Sequence, residues 1–158
     1  MTTSHRPFLI DEGAFTVPEG FQDRSTNIFI HGNPESSLLN LNIGRDNHDA
    51  EETLEQYVTR QIKLLNDKLP GYKLKSRAPA KLGANERTNP IEGEQIDGGY
   101  KNGGRFLHQR QAAFPMSATR VLIFSATSGE AFNDAFETMW AQWLGSFAAR
   151  PENDGIKE

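Results

Sequence analysis

The sequence contains no cysteine. That excludes a disulfide scaffold, a thiolate nucleophile and a cysteine-ligated metal, and it suits a reducing compartment. No apolar run approaches the roughly 18–20 residues that cross a bilayer. The opening Met1-Thr-Thr-Ser-His-Arg-Pro7 is not followed by the apolar stretch of a secretory signal. Neither a Gly-x-Ser-x-Gly elbow nor a phosphate loop occurs. Valine appears only three times, and hydrophobic residues make up 36% of the 158, a lean core allowance. The net charge of -4 is too small to force an expanded chain. An isoelectric point near 5.6 argues against nucleic acid as the main partner. The expectation is a cytoplasmic protein without membrane anchoring. It is read as one domain over residues 1–150, with a flexible tail over 151–158.

What is present reads as strands, a helix, four strands and a second helix. Phe8-Leu9-Ile10 and Ala14 to Val17 flank Asp11-Glu12-Gly13 as a short hairpin. Asn27 to Ile30 reads as a strand closed by Gly32-Asn33-Pro34. From Leu38 to Ile43, Leu39, Leu41 and Ile43 alternate with Asn40 and Asn42, one apolar face against one polar face taken as solvated. Leu54, Tyr57, Val58, Gln61, Ile62, Leu65 and Leu69 form a helical stripe that Pro70-Gly71 stops, with Asp46 or Asp49 as the expected cap. Tyr72 to Leu82, Ile91 to Tyr100, Arg105 to Phe114 and Arg120 to Ala126 read as strands. The last is the most apolar run and is expected to be central. Asn102-Gly103-Gly104 marks a hairpin tip, and Gly98-Gly99 read as further turn glycines. A second helix, capped by Thr127 or Ser128, carries Phe132, Phe136, Met139, Trp140, Trp143, Leu144 and Phe147 on one stripe. Long hairpins with segregated helices indicate an α+β fold, an antiparallel β-sheet flanked by helices.

No two of the four histidines, His5, His31, His48 and His108, have helical spacing, so a metal site is not expected. No nucleophile–base pair is legible, and neither an enzyme activity nor a cofactor is expected. The informative residues are polar groups on apolar stripes. Gln61 shares the face of Leu54 and Leu65, and Gln109 and Gln111 share a face with Leu107 and Ala113. A buried primary amide must find partners. One reading is a core-edge glutamine bonded to nearby backbone. The other is a binding face that keeps its amides for a ligand.

Several short motifs, in order, carry a resemblance: Phe21-Gln-Asp-Arg-Ser-Thr-Asn-Ile-Phe29, Arg45-Asp46, Tyr57-Val58-x-Arg60-Gln61, Leu69-Pro-Gly-Tyr-Lys-Leu74, and Arg110-Gln111 with Phe114. Over residues 8–148 the chain resembles the Eag (effector-associated gene) family of type VI secretion chaperones. The resemblance implies a Mog1/PsbP-like α/β/α sandwich and a cytoplasmic homodimer. It implies binding and shielding of the N-terminal transmembrane helices of PAAR-containing effectors, and through the effector an association with the secretion spike protein. It implies a largely apolar groove whose glutamines bond the client backbone. Position by position, Thr26 and Ile28 match the strand side of that groove. Gln61, Leu65 and Leu69 match its helix side, and Gln111 the later strand. Thr26 replaces a commoner β-branched apolar residue, and Phe21 a commoner tryptophan. Two other classes remain open: a small-molecule-binding or hydrolytic domain on the same fold, and an adaptor for a folded partner.

Overall fold

The computed structural model describes residues 7–33, 39–83 and 89–150. The tail 151–158, His5, Pro34, Leu38 and most of the loop before Pro90 lie outside the described residues. The chain forms two compact units. In the first, strands β1 (Phe8–Ile10) and β2 (Gly13–Phe15) pair as the expected hairpin, and the Phe8 and Phe15 rings stack at 5.3 Å.

The second unit, Thr26–Phe147, holds β3 (Asn27–Ile30), β4 (Asn40–Asn47), α1 (Leu54–Lys68), β5 (Lys73–Leu82), β6 (Ile91–Asn102), β7 (Arg105–Pro115), β8 (Arg120–Ser128) and α2 (Asp134–Gly145). Its six strands follow the order β3-β4-β8-β7-β6-β5, every described pairing antiparallel. This is the expected α+β class. The apolar run in β8 sits third of six, where both faces can be covered.

One helix serves each face, because alternate residues of a strand point to opposite sides. Ala112, Phe114, Phe124 and Ala126 meet Phe136, Trp140 and Leu144 of α2, with Leu39, Leu41 and Ile43 packed alongside. Ala113, Ile96 and Val121 meet Tyr57 and Val58 of α1, with Ile62, Leu65 and Ile123 beside them. The stripes read from the sequence are therefore the two packing faces. Among the described residues no helix is long and apolar enough to cross a membrane.

Three sequence expectations are corrected. Helix α1 is capped by Thr53, whose hydroxyl accepts from Gln56 N–H while the Gln56 side chain accepts from Thr53 N–H. This reciprocal box satisfies two end donors at once, and Asp46 instead belongs to β4. Helix α2 is capped by Asn133, because the chain runs on after Ser128 before turning helical. Gly98 and Gly99 lie inside β6 rather than in a turn. A Cβ on Gly98 would come within 2.6 Å of Lys73 O and of the Tyr72 hydroxyl, and one on Gly99 within 2.4 Å of the Phe106 ring. Gly103 and Gly104 do form the hairpin tip, at φ of 59° and 84°.

Candidate functional site

Within the second unit, among the described residues, α1 packs on the β6, β7 and β8 side of one sheet face. Residues opposite one another in register share a face, so the pairing places Ile28, Asn42, Ser125 and Gln111 in one row from β3 to β7. The next row holds Ile30, Asn40, Thr127 and Gln109. None of these side chains is charged. Ile28 and Ile30 are 60% and 48% exposed, and the other six are half-buried. Asn40 and Asn42 thus lie opposite the apolar alternation, as expected, but on a partly covered platform rather than a fully solvated face.

Helix α1 walls this platform. Gln61 and Gln111 come together in the crevice between α1 and the sheet, with Tyr57, Val58, Ile96, Ala113, Ile123 and Glu94, whose carboxylate is paired with Arg77 at 2.9 Å. The crevice holds about 10 Å³, room for one water at most. Leu65 packs against the α1-side core, one turn beyond Gln61. Leu69 is the C-cap, its N–H donating to Leu65 O at 2.9 Å. Thr26 is exposed and precedes β3, outside the paired register. The groove residues read from the sequence therefore divide. Gln61 and Gln111 share one crevice, and Ile28 shares their face at its far edge. Leu65 packs under the helix, Leu69 ends it, and Thr26 flanks the edge.

Gln111 makes no side-chain hydrogen bond among the described residues. Gln61 donates through Nε2 to Asp46 Oδ2 at 3.4 Å, and the Tyr57 hydroxyl donates to the same oxygen at 2.8 Å. Burial first, then this hydrogen bond, pushes the Tyr57 hydroxyl far above its ordinary pKa, so it stays a neutral donor. At the helix start Arg60 donates to both oxygens of Glu52 at 2.9 and 3.0 Å. That hydrogen bond holds the Glu52 carboxyl below its usual range.

The opposite face carries a different arrangement. Arg110, only 5% exposed, is a fork between Asp97 of β6, at 2.8 and 2.9 Å, and Glu137 of α2, at 2.8 Å twice. Its guanidinium lies 5.2–5.4 Å from the ring centroids of Phe132, Phe136 and Trp140. Desolvation pulls its pKa down, but the hydrogen bonds to Glu137 and Asp97 outweigh this and raise it. Arg110 anchors α2 to the sheet, while its neighbour Gln111 faces the crevice.

The sequence does not single out Ile30, Ser125 or Thr127 on the platform, or Asp46 as the partner of Gln61. Ile30 was accessible from period two after Ile28, and Ser125 and Thr127 from their alternation with Phe124 and Ala126. Asp46 carried no such signal, because its partner Gln61 lies fifteen residues away on another element. Among the described residues no group of histidine and carboxylate side chains could hold a metal ion.

A curated relative, named Effector EagT6 from Pseudomonas aeruginosa, is 26% identical over 145 residues, 91% of this chain and 96% of the relative. It bears the Eag name to which the sequence motifs pointed. The crystal structure of a Pseudomonas aeruginosa protein of unknown function, PA94, superposes with a TM-score of 0.70 at 25% identity. That match covers 94% of this chain and 99% of the other. The DcrB family pattern spans residues 12–146, nearly all of the sheet and both helices, and the chain therefore belongs to the DcrB family.

Proposed function

We propose that this protein is a non-enzymatic chaperone of the type VI secretion system. It shields the apolar N-terminal helices of an effector in the cytoplasm and aids their loading onto the secretion spike. The observation that carries this reading is the uncharged platform beside α1, with exposed Ile28 and Ile30 at one edge and Gln61 and Gln111 at the other. From β7 to β3 it spans three strand spacings, about 14 Å. An α-helix with side chains measures about 10–12 Å across, so one client helix can lie beside α1. Covering the two isoleucines recovers roughly 1 kcal/mol each, given that about half of each is still exposed. The amides and hydroxyls meet polar groups that a purely apolar groove would leave unsatisfied. The two strand rows carry no charge, and Glu94 in the crevice is paired with Arg77, so a client lying across the rows covers no unpaired ion there. The name of the 26% identical relative supports the effector partner. In this reading the helices on the two faces form the Mog1/PsbP-like sandwich implied by the sequence resemblance, and the working unit is a homodimer.

A small-molecule reading has one observation in its favour. A cavity of about 420 Å³ near the α2 N-terminus is lined by His31, Arg105, Ser128, Glu130 and Phe132, among others. Its volume falls within the range of ligand pockets. However, Ser128 Oγ accepts from Glu130 N–H at 3.0 Å, and no hydrogen bond joins Ser128 to His31. Hydrolysis through a Ser128 nucleophile would need such a pair.

The deciding experiment is co-expression with the apolar N-terminal segment of a candidate effector. A soluble, co-purifying complex is expected, and Gln61→Ala with Gln111→Ala should weaken it while the fold is retained. A client segment that is equally soluble without this protein sinks the chaperone reading. Undiminished affinity of the double variant removes the glutamines from it.

A further inference from the structure

The Arg45-Asp46 motif has no role in the function proposed above, yet the Asp46 carboxylate meets two residues that line the crevice, Tyr57 and Gln61. It sits on β4 opposite Val121, on the α1 face, and is half-buried. Its carboxylate accepts three donors: Asn47 N–H on Oδ1 at 2.8 Å, and the Tyr57 hydroxyl and the Gln61 amide nitrogen on Oδ2. An ionised carboxylate can only accept. The Gln61 side chain turns its NH₂ toward Asp46 at 3.4 Å, the orientation that a carboxylate acceptor favours. Its carbonyl oxygen then has no partner among the described residues. Tyr57, one turn earlier and 1% exposed, holds the carboxylate in place from the same helix.

We propose that Asp46 is a positioning residue for the client face: it holds the Gln61 amide nitrogen, so that the Gln61 carbonyl oxygen is offered to a hydrogen-bond donor on the client. The inference rests on the reading of this face as a client site. Its consequence is selectivity. A client helix that brings an N–H or O–H donor to the α1 wall is favoured over one that brings only apolar atoms. Asp46→Asn relaxes the arrangement, because an amide can donate as well as accept and no longer constrains which end of the Gln61 side chain faces the client.

The test has two readouts on the full chain. The first is the side-chain amide resonance of Gln61 in ¹⁵N-labelled protein, assigned by its loss in Gln61→Ala. In the wild type one Gln61 amide proton should exchange with water more slowly than those of Gln111. In Asp46→Asn the Gln61 pair should shift while the Gln111 pair stays. The second is binding of two labelled twenty-residue leucine–alanine peptides that differ at one central position, tryptophan or naphthylalanine. The first carries an indole N–H donor and the second is an isostere without it. The wild type should prefer the tryptophan peptide about fivefold, the range of one neutral hydrogen bond, and Asp46→Asn should lose that preference. Equal exchange at Gln61 and Gln111 in the wild type overturns the proposal even if Asp46→Asn fails to fold. A preference that survives in folded Asp46→Asn also overturns it. If the wild type binds neither peptide, the chaperone reading fails, and the resonances alone decide whether Asp46 positions Gln61.

Discussion

Replacing Arg110 by alanine should be a costly change on the face of the sheet that α2 covers. The guanidinium is almost fully buried and joins β6, β7 and α2 through four short hydrogen bonds to two carboxylates. Without it, Asp97 and Glu137 face one another beneath three aromatic rings with no cation. Removing one partner of a buried ion pair costs about 3–5 kcal/mol. The Glu137 side chain is half exposed and can recover water, which points to the lower end, about 3 kcal/mol. The loss of cation–π contacts adds about 1 kcal/mol, for a total near 4 kcal/mol. In a chain of this size that lowers the melting temperature by about 8–16 °C. Urea unfolding followed by tryptophan fluorescence is the assay, since Trp140 and Trp143 both lie on α2. The midpoint should fall with the slope unchanged. Arg110→Lys should fall between, because an ammonium cannot grip two carboxylates as a fork does. The triple variant Arg110→Met, Asp97→Leu, Glu137→Met should regain most of the loss. A change below about 1 kcal/mol for Arg110→Ala would refute the assignment of Arg110 as the anchor of α2.

Gly98→Ala should cost about 1–3 kcal/mol, because the new methyl meets Lys73 O, a backbone atom that cannot swing aside; chemical denaturation measures it, and a neutral result would remove the close-approach reading. Acid stability should depend on Glu137, whose folded pKa is lowered mainly by its hydrogen bond with Arg110. Its contribution is present above the unfolded value near pH 4.3 and is lost as pH falls through the lowered folded pKa. Glu137→Gln should therefore flatten the acid limb of unfolding midpoint against pH, and an unchanged limb would show that the pair does not govern it.

Much of the fold was legible because periodicity and turn chemistry are local. The α1 stripe, the Asn-Gly-Gly hairpin tip and the central position of the most apolar strand were all readable from neighbours in the chain. The caps were less so. Asp46 has the right chemistry for a helix cap, but β4 continues through it and turns its carboxylate toward Tyr57. Gly98-Gly99 looks like a turn by composition. Only the crossing of Tyr72 and Phe106 over β6 shows that the missing side chains make room for rings.

The candidate site follows the same division. The sequence by itself determined that Gln61, Gln109 and Gln111 stand on faces shared with apolar residues, since the periods of helix and strand decide that locally. It also determined that no cysteine chemistry and no long apolar span are available. Only the tertiary structure decided that Gln61 and Gln111 meet in one crevice, that Ile28 lies three strands away on the same face, and that the Gln61 amide comes within reach of Asp46. Those facts depend on sheet register and on where α1 docks, which bring together residues far apart in the chain. Arg110 shows the same principle most clearly. Its charge marks it as a surface residue until α2 folds over it and supplies Glu137 and three aromatic rings.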